Sequence, residues 1–410
     1  MSATVSTRIP PPLPDLLLVG GTPYFSPYPS PRPHFARAWN ALGGRVLYVE
    51  VGGPAAFYRE RLRQSGGEEP VQDRPGLFVW RFEKFLGLPY SYPDFTRRWN
   101  LQFRLPALKR MLERIGFADD RFVALYYGWW WAEWMEGLRA SHHVYDCVDE
   151  HRAYPDFDGN PDRAAYVWEQ EVRMLERTDL LLATSPALLD DRIEHVNAWR
   201  YLPHAVDLEA YAPCIDSMLP EPGDLELLPQ PRAMVMGTLT AKLDFGALEH
   251  LAAAMPAGSV VLVGPPGRGV KPRAMDARLK WLGPKPAVML PSYFAYAQAG
   301  MIPLLPTPFN YGSSPLKLLE YLAAGLPVVA SRNPVTEEMA QAAPGVFLAD
   351  SAAEFPEALR LALEAGERLG RAEIRKAVEG RSYAARALEL AEALAAPVES
   401  AESAESGTPA

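Results

Sequence analysis

Short apolar runs alternate with stretches of helical spacing along almost the whole chain, and few folds accept that pattern. Strands are expected at residues 15–19, 45–50, 77–80, 122–126, 143–148 and 180–183, where β-branched and apolar residues crowd together. Helical stretches lie between them at 34–42, at 97–115 with an interruption at Pro106, and at 161–177. A stretch rich in Pro, Asp and Glu follows at 213–231. The alternation then restarts, with strands at 233–236, 259–263, 301–305 and 328–330. Strands alternating with helices build parallel sheets covered on both faces, and a restart after a linker makes two of them. The expected class is α/β, with two doubly wound parallel-sheet domains. The first spans 15–210, a linker 211–231, and the second 232–380; a helix at 381–396 packs back. Residues 1–14 and the Ala-Glu-Ser repeats of 397–410 read as disordered ends. Ligands of such sheets sit outside the carboxyl ends of the strands, which directs the search to the loops there.

Composition narrows the function. A net charge of −9 argues against a general nucleic-acid binder. Cys147 and Cys214 alone cannot make a disulfide framework or a cysteine zinc site, which fits a reducing compartment. No apolar run spans a bilayer, and the N-terminus lacks a signal-peptide core, so the expected address is cytoplasmic. Nine of the ten tryptophans precede residue 200, so the two halves differ in kind.

The strongest local signal is residues 312–331, GSSPLKLLEYLAAGLPVVAS: a loop, a helix, a glycine stop and a strand. Ser313 and Ser314 offer N-cap oxygens, Pro315 suits the first turn, and Gly325 suits the C-terminal stop. The free N–H groups of such a helix start attract a diphosphate. Lys317 and Glu320, three apart, share one face, where the first can neutralise phosphate and the second accept from ribose hydroxyls. An ordinary surface Lys–Glu pair is the plainer alternative.

Segment 315–329 resembles the nucleotide-sugar signature of the GT-B glycosyltransferases. Residues 236–245, MGTLTAKLDF, resemble the opening of that family's donor domain, and 260–265, VVLVGP, its second strand and turn. The resemblance implies a GT-B fold, two Rossmann-like domains facing across a cleft, the second binding the sugar donor and the first the acceptor. It implies donor contacts from Gly237, Lys242, Ser313, Ser314, Leu316, Lys317 and Glu320. Retaining members usually carry a Glu eight residues before the ribose-binding Glu. Here that position is Gly312.

Residues 144–151, VYDCVDEH, place Asp146, Asp149, Glu150 and His151 at a strand end of the first domain. An inverting transfer needs a base within reach of the acceptor hydroxyl. The segment is similar to that of the inverting glucuronosyltransferase of xanthan synthesis, which implies Asp149 as base, with His151 in reserve. Turn-forming and capping aspartates are the plainer reading. The loop after the first strand, residues 20–34, is long and aromatic. The resemblance turns it toward the acceptor, making Gly21, Arg32 and His34 candidate contacts. His204 is expected to be structural.

Other signals carry less. Residues 264–271 lack the Ser or Thr of a phosphate loop, and Asp156 and Asp158 form an isolated Asp-x-Asp in a turn. Residues 96–114 carry six basic side chains against Glu113, interleaved with Trp99 and Phe103. Together with Trp129, Trp130, Trp131 and Trp134 they suggest peripheral contact with the inner face of a membrane, against the alternative of a helix packed on the core.

The reading is a glycosyltransferase moving a sugar from a nucleoside diphosphate to a hydroxyl of a glycan or lipid-linked acceptor in cell-surface polysaccharide or glycolipid synthesis. No cofactor and no metal are expected. Alternatives are a retaining transferase, a sugar-nucleotide 2-epimerase and a non-catalytic sugar-nucleotide-binding protein.

Overall fold

A computed structural model describes residues 13–20, 22–26, 30–50, 69–81, 100–154, 160–216, 219–255, 257–267, 270 and 279–395. Gly21, Arg97, Arg98, Trp99, Asp156, Asp158 and both expected disordered ends, apart from residues 13 and 14, lie outside them. The first domain contributes β1 (Asp15–Val19), β2 (Val46–Glu50), β3 (Val71–Arg74), β4 (Leu77–Arg81), β5 (Phe122–Tyr127), β6 (His142–Cys147), β7 (Leu180–Ala183) and β8 (Trp199–Tyr201). They lie in the order β3-β4-β2-β1-β5-β6-β7-β8, parallel except for the β3–β4 hairpin. The second contributes β9 (Arg232–Met236), β10 (Ser259–Val263), β11 (Leu279–Trp281), β12 (Ala299–Ile302), β13 (Val328–Ser331) and β14 (Val346–Ala349). Their order, β11-β10-β9-β12-β13-β14, is all parallel and reverses direction between β9 and β12. That reversal opens the crevice in which doubly wound sheets bind ligands.

The helices that cover these sheets and matter for the cleft are α1 (Pro31–Ala41), α2 (Leu105–Arg114), α3 (Pro161–Leu175), α4 (Phe245–Ala254), α5 (Leu316–Ala323), α6 (Pro334–Ala342), α7 (Phe355–Leu369) and α8 (Tyr383–Ala395). Alternation along the strands sorts the packing. Leu16 and Leu18 join Phe35 and Trp39 of α1, whereas Leu17 and Val19 join Leu108 and Met111 of α2. In the second domain Met234 and Met236 meet Leu318 and Leu322 of α5, and Ala233 and Val235 meet Leu248 and Leu251 of α4. After the second domain the chain returns: Ala387 and Leu390 of α8 join the core of Leu16 and Trp39.

Several expectations change. The strand expected at 301–305 is Ala299–Ile302, because Pro303 cannot donate to a ladder. The helix expected from 97 begins as α2 at Leu105 after a π turn, with Pro106 in its first turn, where no N–H is needed. Its Leu105, Leu108, Met111 and Leu112 are buried and its Lys109 and Arg110 exposed, the pattern of a core-packed helix. Of the clustered tryptophans, Trp129, Trp131 and Trp134 are 2%, 1% and 1% exposed and packed inside, whereas Trp130 is half-buried. Among the described residues no helix is long and apolar enough to cross a membrane.

Candidate active site

The start of α5 is fixed from three sides. The Tyr321 hydroxyl donates to the Met234 carbonyl at 3.0 Å and accepts from the Met236 N–H at 2.8 Å, pinning the helix to the end of β9. Asn333, which caps α6, donates to the carbonyls of Asn310 and Ser313, each at 3.0 Å. Ser313 does not cap α5 as the sequence suggests. Its hydroxyl donates to the Asn310 carbonyl at 2.8 Å, and Pro315 occupies the N-cap without a side-chain bond. Lys317 and Glu320 are hydrogen-bonded to each other and face a cleft of about 600 Å³.

Gly237 and Gly264 form the floor of that cleft at the ends of β9 and β10. Gly264 has φ 148°, and a Cβ there would stand 1.9 Å from the Gly237 carbonyl oxygen. Only glycine lets these two turns touch and bares their backbone to a ligand. On the far rim Lys285 donates to Asp224 at 2.6 Å, and Tyr293 donates to the same carboxylate at 2.7 Å. His34 reaches in from the first domain, its Nδ1 3.6 Å from Asp207 and its ring stacked on Tyr383 at 5.1 Å. Burial pushes the His34 pKa down, against the pull of Asp207.

A second cavity of about 240 Å³ continues the cleft toward the first domain, and Ser30, Pro31, Ala205, Leu316 and Tyr383 line both. Its walls bring together Asp149, Asp146, Arg32, His204, Ser313, Ser314 and Arg386. Arg32 donates to the Gly20 carbonyl, and its guanidinium lies over the Tyr127 ring at 4.5 Å. Asp149 Oδ2 accepts from the Tyr154 hydroxyl at 3.0 Å. His204, expected to be structural, borders this cavity, and burial, reinforced by Arg386 and Arg32, lowers its pKa to about 3.

The turn carrying Asp149 hangs on a buried ion cluster. Glu150 caps the turn through the Arg152 N–H at 3.2 Å and also binds Arg192, which is fully buried, at 3.2 Å. Arg192 Nε in turn donates to Glu171 at 2.8 Å. Burial alone would raise the Glu150 pKa, but the two arginines outweigh it and hold the carboxyl below its usual range. His151 turns into this cluster, 2% exposed and 3.7 Å from Glu171, and does not border the cleft. Cys147, His151 and Glu171 converge there, yet Arg192 and Tyr145 already occupy Glu171 and burial keeps Cys147 a thiol. The group is a packed ionic core rather than a cation cage.

One expected donor-side residue, Lys242, is placed differently. The Lys242 ammonium lies 3.4 Å from the centre of the Phe309 ring, at the seam where Phe309 meets Tyr154, and does not border either cavity. Gly312 presses on the first domain, where a Cβ would stand 3.1 Å from Glu150 Cβ and 3.2 Å from a Leu188 methyl. Sequence reasoning passed over Arg386, Tyr383 and Lys285 and gave Asp146 no role of its own. Their partners are far along the chain, and no local spacing marks them.

Residues 234–365 match the family model described as Glycosyl transferases group 1. A protein of Bacillus subtilis (strain 168) named as teichuronic acid biosynthesis glycosyltransferase TuaH is 27% identical over 206 residues, 48% of this chain. The chain spans about half the length of that curated relative, 52%. Among solved structures, HepE of Anabaena in complex with UDP and glucose superposes with a TM-score of 0.63 at 15% identity, covering 94% of this chain and all of that one. Sucrose-phosphate synthase of Thermosynechococcus elongatus superposes with a TM-score of 0.62 at 16% identity, over 92% and 98% of the two chains. The two facing parallel-sheet domains have the GT-B fold, and residues 234–365 of the second carry the glycosyl transferase group 1 match.

Proposed function

We propose that the protein transfers a sugar from a nucleoside diphosphate to a hydroxyl of a glycan or lipid-linked acceptor in cell-surface polysaccharide or glycolipid synthesis, with inversion at the anomeric carbon. The observation that carries the reading is the continuity of the two cavities. One is bordered by Lys317, Glu320 and the bare turns at Gly237 and Gly264, the other by a carboxylate, Asp149, across from the start of α5. The likeness to a protein crystallised with UDP and glucose, and to one named for teichuronic acid biosynthesis, supports it.

In this reading the diphosphate lies against the α5 start, where unsatisfied N–H groups and Lys317 stabilise the charge that grows as the sugar–phosphate bond breaks. Glu320 accepts from the ribose hydroxyls. Asp149, oriented by Tyr154, takes the proton of the acceptor hydroxyl as that oxygen attacks the anomeric carbon from the face opposite the leaving diphosphate. Gly312 supports inversion: it carries no carboxylate where retaining members place one, and a Cβ there would crowd Glu150 and Leu188 at 3.1 and 3.2 Å.

The test pairs Asp149→Asn with product stereochemistry. With donor and acceptor supplied, the variant is expected to lose about 10²–10⁴-fold in kcat while nucleotide affinity holds. NMR of the wild-type product is expected to show the anomer opposite to the donor. An active Asn variant, or a product of the donor's configuration, would refute this assignment.

A further inference from the structure

Asp146, the last residue but one of β6, is 1% exposed on the first-domain wall of the smaller cavity. Its Oδ2 accepts from Arg386 Nη2 at 2.8 Å. Its Oδ1 is also buried and makes no hydrogen bond of ordinary geometry; the nearby group is the Tyr127 hydroxyl, whose pKa burial and the Asp146 carboxylate raise. Arg386 cannot turn to serve it, because its other amino group donates to the carbonyls of Leu202 and Pro203. A buried carboxylate oxygen without a well-placed donor is costly, and such an atom on a cavity wall calls for a partner.

We infer that Asp146 Oδ1 is the acceptor for a hydroxyl of the sugar carried by the nucleotide, with Arg386 of the C-terminal helix α8 as the residue that aims it. The inference rests on the donor reading above and adds a contact to it. Position selects the nucleotide's sugar over the acceptor's. The cavity opens directly from the nucleotide cleft past Leu316 and Tyr383, so a sugar attached to a diphosphate at the α5 start projects into it. Asp149, the more exposed of the two carboxylates in that cavity, meets the incoming hydroxyl, which leaves the buried Asp146 to the sugar already present. A neutral His204 beside it can donate or accept a second hydrogen bond to a neighbouring hydroxyl without adding charge.

The test compares affinities by titration calorimetry, with no acceptor present, for UDP, UDP-glucose, UDP-galactose, GDP and GDP-mannose. In Asp146→Asn the nucleoside diphosphate affinity is expected to stay within about twofold. The ratio of the sugar-nucleotide Kd to the nucleotide Kd is expected to rise by about tenfold or more, the worth of one hydrogen bond to a charged group. Should the Asn variant fail to fold, Arg386→Lys, which keeps the charge but loses the fork, is expected to raise the same ratio. Ratios that match wild type for every hexose overturn the inference and leave the donor reading standing. Absence of all nucleotide binding in the wild-type protein overturns both.

Discussion

His204 borders the cleft as a neutral imidazole, and a buried neutral histidine makes stability depend on acid. In the unfolded chain it takes up a proton near pH 6.5; in the fold it does so only near pH 3. Between those values the unfolded state holds more protons, so stability is complete above pH 6.5 and falls as pH drops toward 3. Replacing His204 with Gln should therefore flatten the loss seen in urea midpoints between pH 7 and pH 4. An unchanged slope would place the titration elsewhere. The same residue shows where reading the sequence stops. Lys317 and Glu320 were visible because three residues on one helix settle their common face. His204 and the Asp146–Arg386 pair, whose members are 240 residues apart, become neighbours only after both sheets have formed and α8 has returned. Lys242 was visible as a cation after a strand, but nothing local announces that Phe309 lies under it.

The turn after β6 illustrates how one element is held for chemistry. β6 ends at Cys147, Asp149 follows, and Glu150 closes the turn onto Arg192, which also neutralises Glu171 of α3. Removing Arg192 leaves Glu171 buried without its cation and Glu150 with Arg152 alone. Arg192→Met should cost about 3–5 kcal/mol in chemical denaturation, the usual result of breaking a buried pair from one side. A loss below about 1 kcal/mol would mean that water, rather than Arg192, satisfies the cluster. The inner strands β1, β5, β7 and β10 were legible because both faces are covered and, apart from Asp15 and Ser259 at their starts, their composition is apolar or aromatic. The strands not foreseen, β3, β8, β11 and β14, have only three or four residues each and are the edge strands of the two sheets. Their sequences carry little periodicity of their own, and it is the neighbouring strand that makes them strands.

Across the molecule, the two sheets turn their carboxyl ends toward each other, and contacts among the described residues join the halves. Gly312 meets Glu150, Phe309 meets Tyr154, and Tyr201 donates to Glu338 at 2.6 Å. The C-terminal helix adds a further tie through Arg386. The doubled alternation of strands and helices made this architecture readable from sequence, but the course of α8 was not, since an amphipathic helix does not name the face that covers it. The central claim is that the second domain holds a nucleoside diphosphate against α5 through Lys317 and Glu320. The most direct measurement is thermal and chemical unfolding with UDP, GDP, TDP and ADP, for wild type and Glu320→Ala. One nucleotide at 100 times its dissociation constant should stabilise the wild-type protein by about 2.7 kcal/mol, and that gain should vanish in the variant. A flat response to all four, or a gain that survives Glu320→Ala unchanged, would contradict the account.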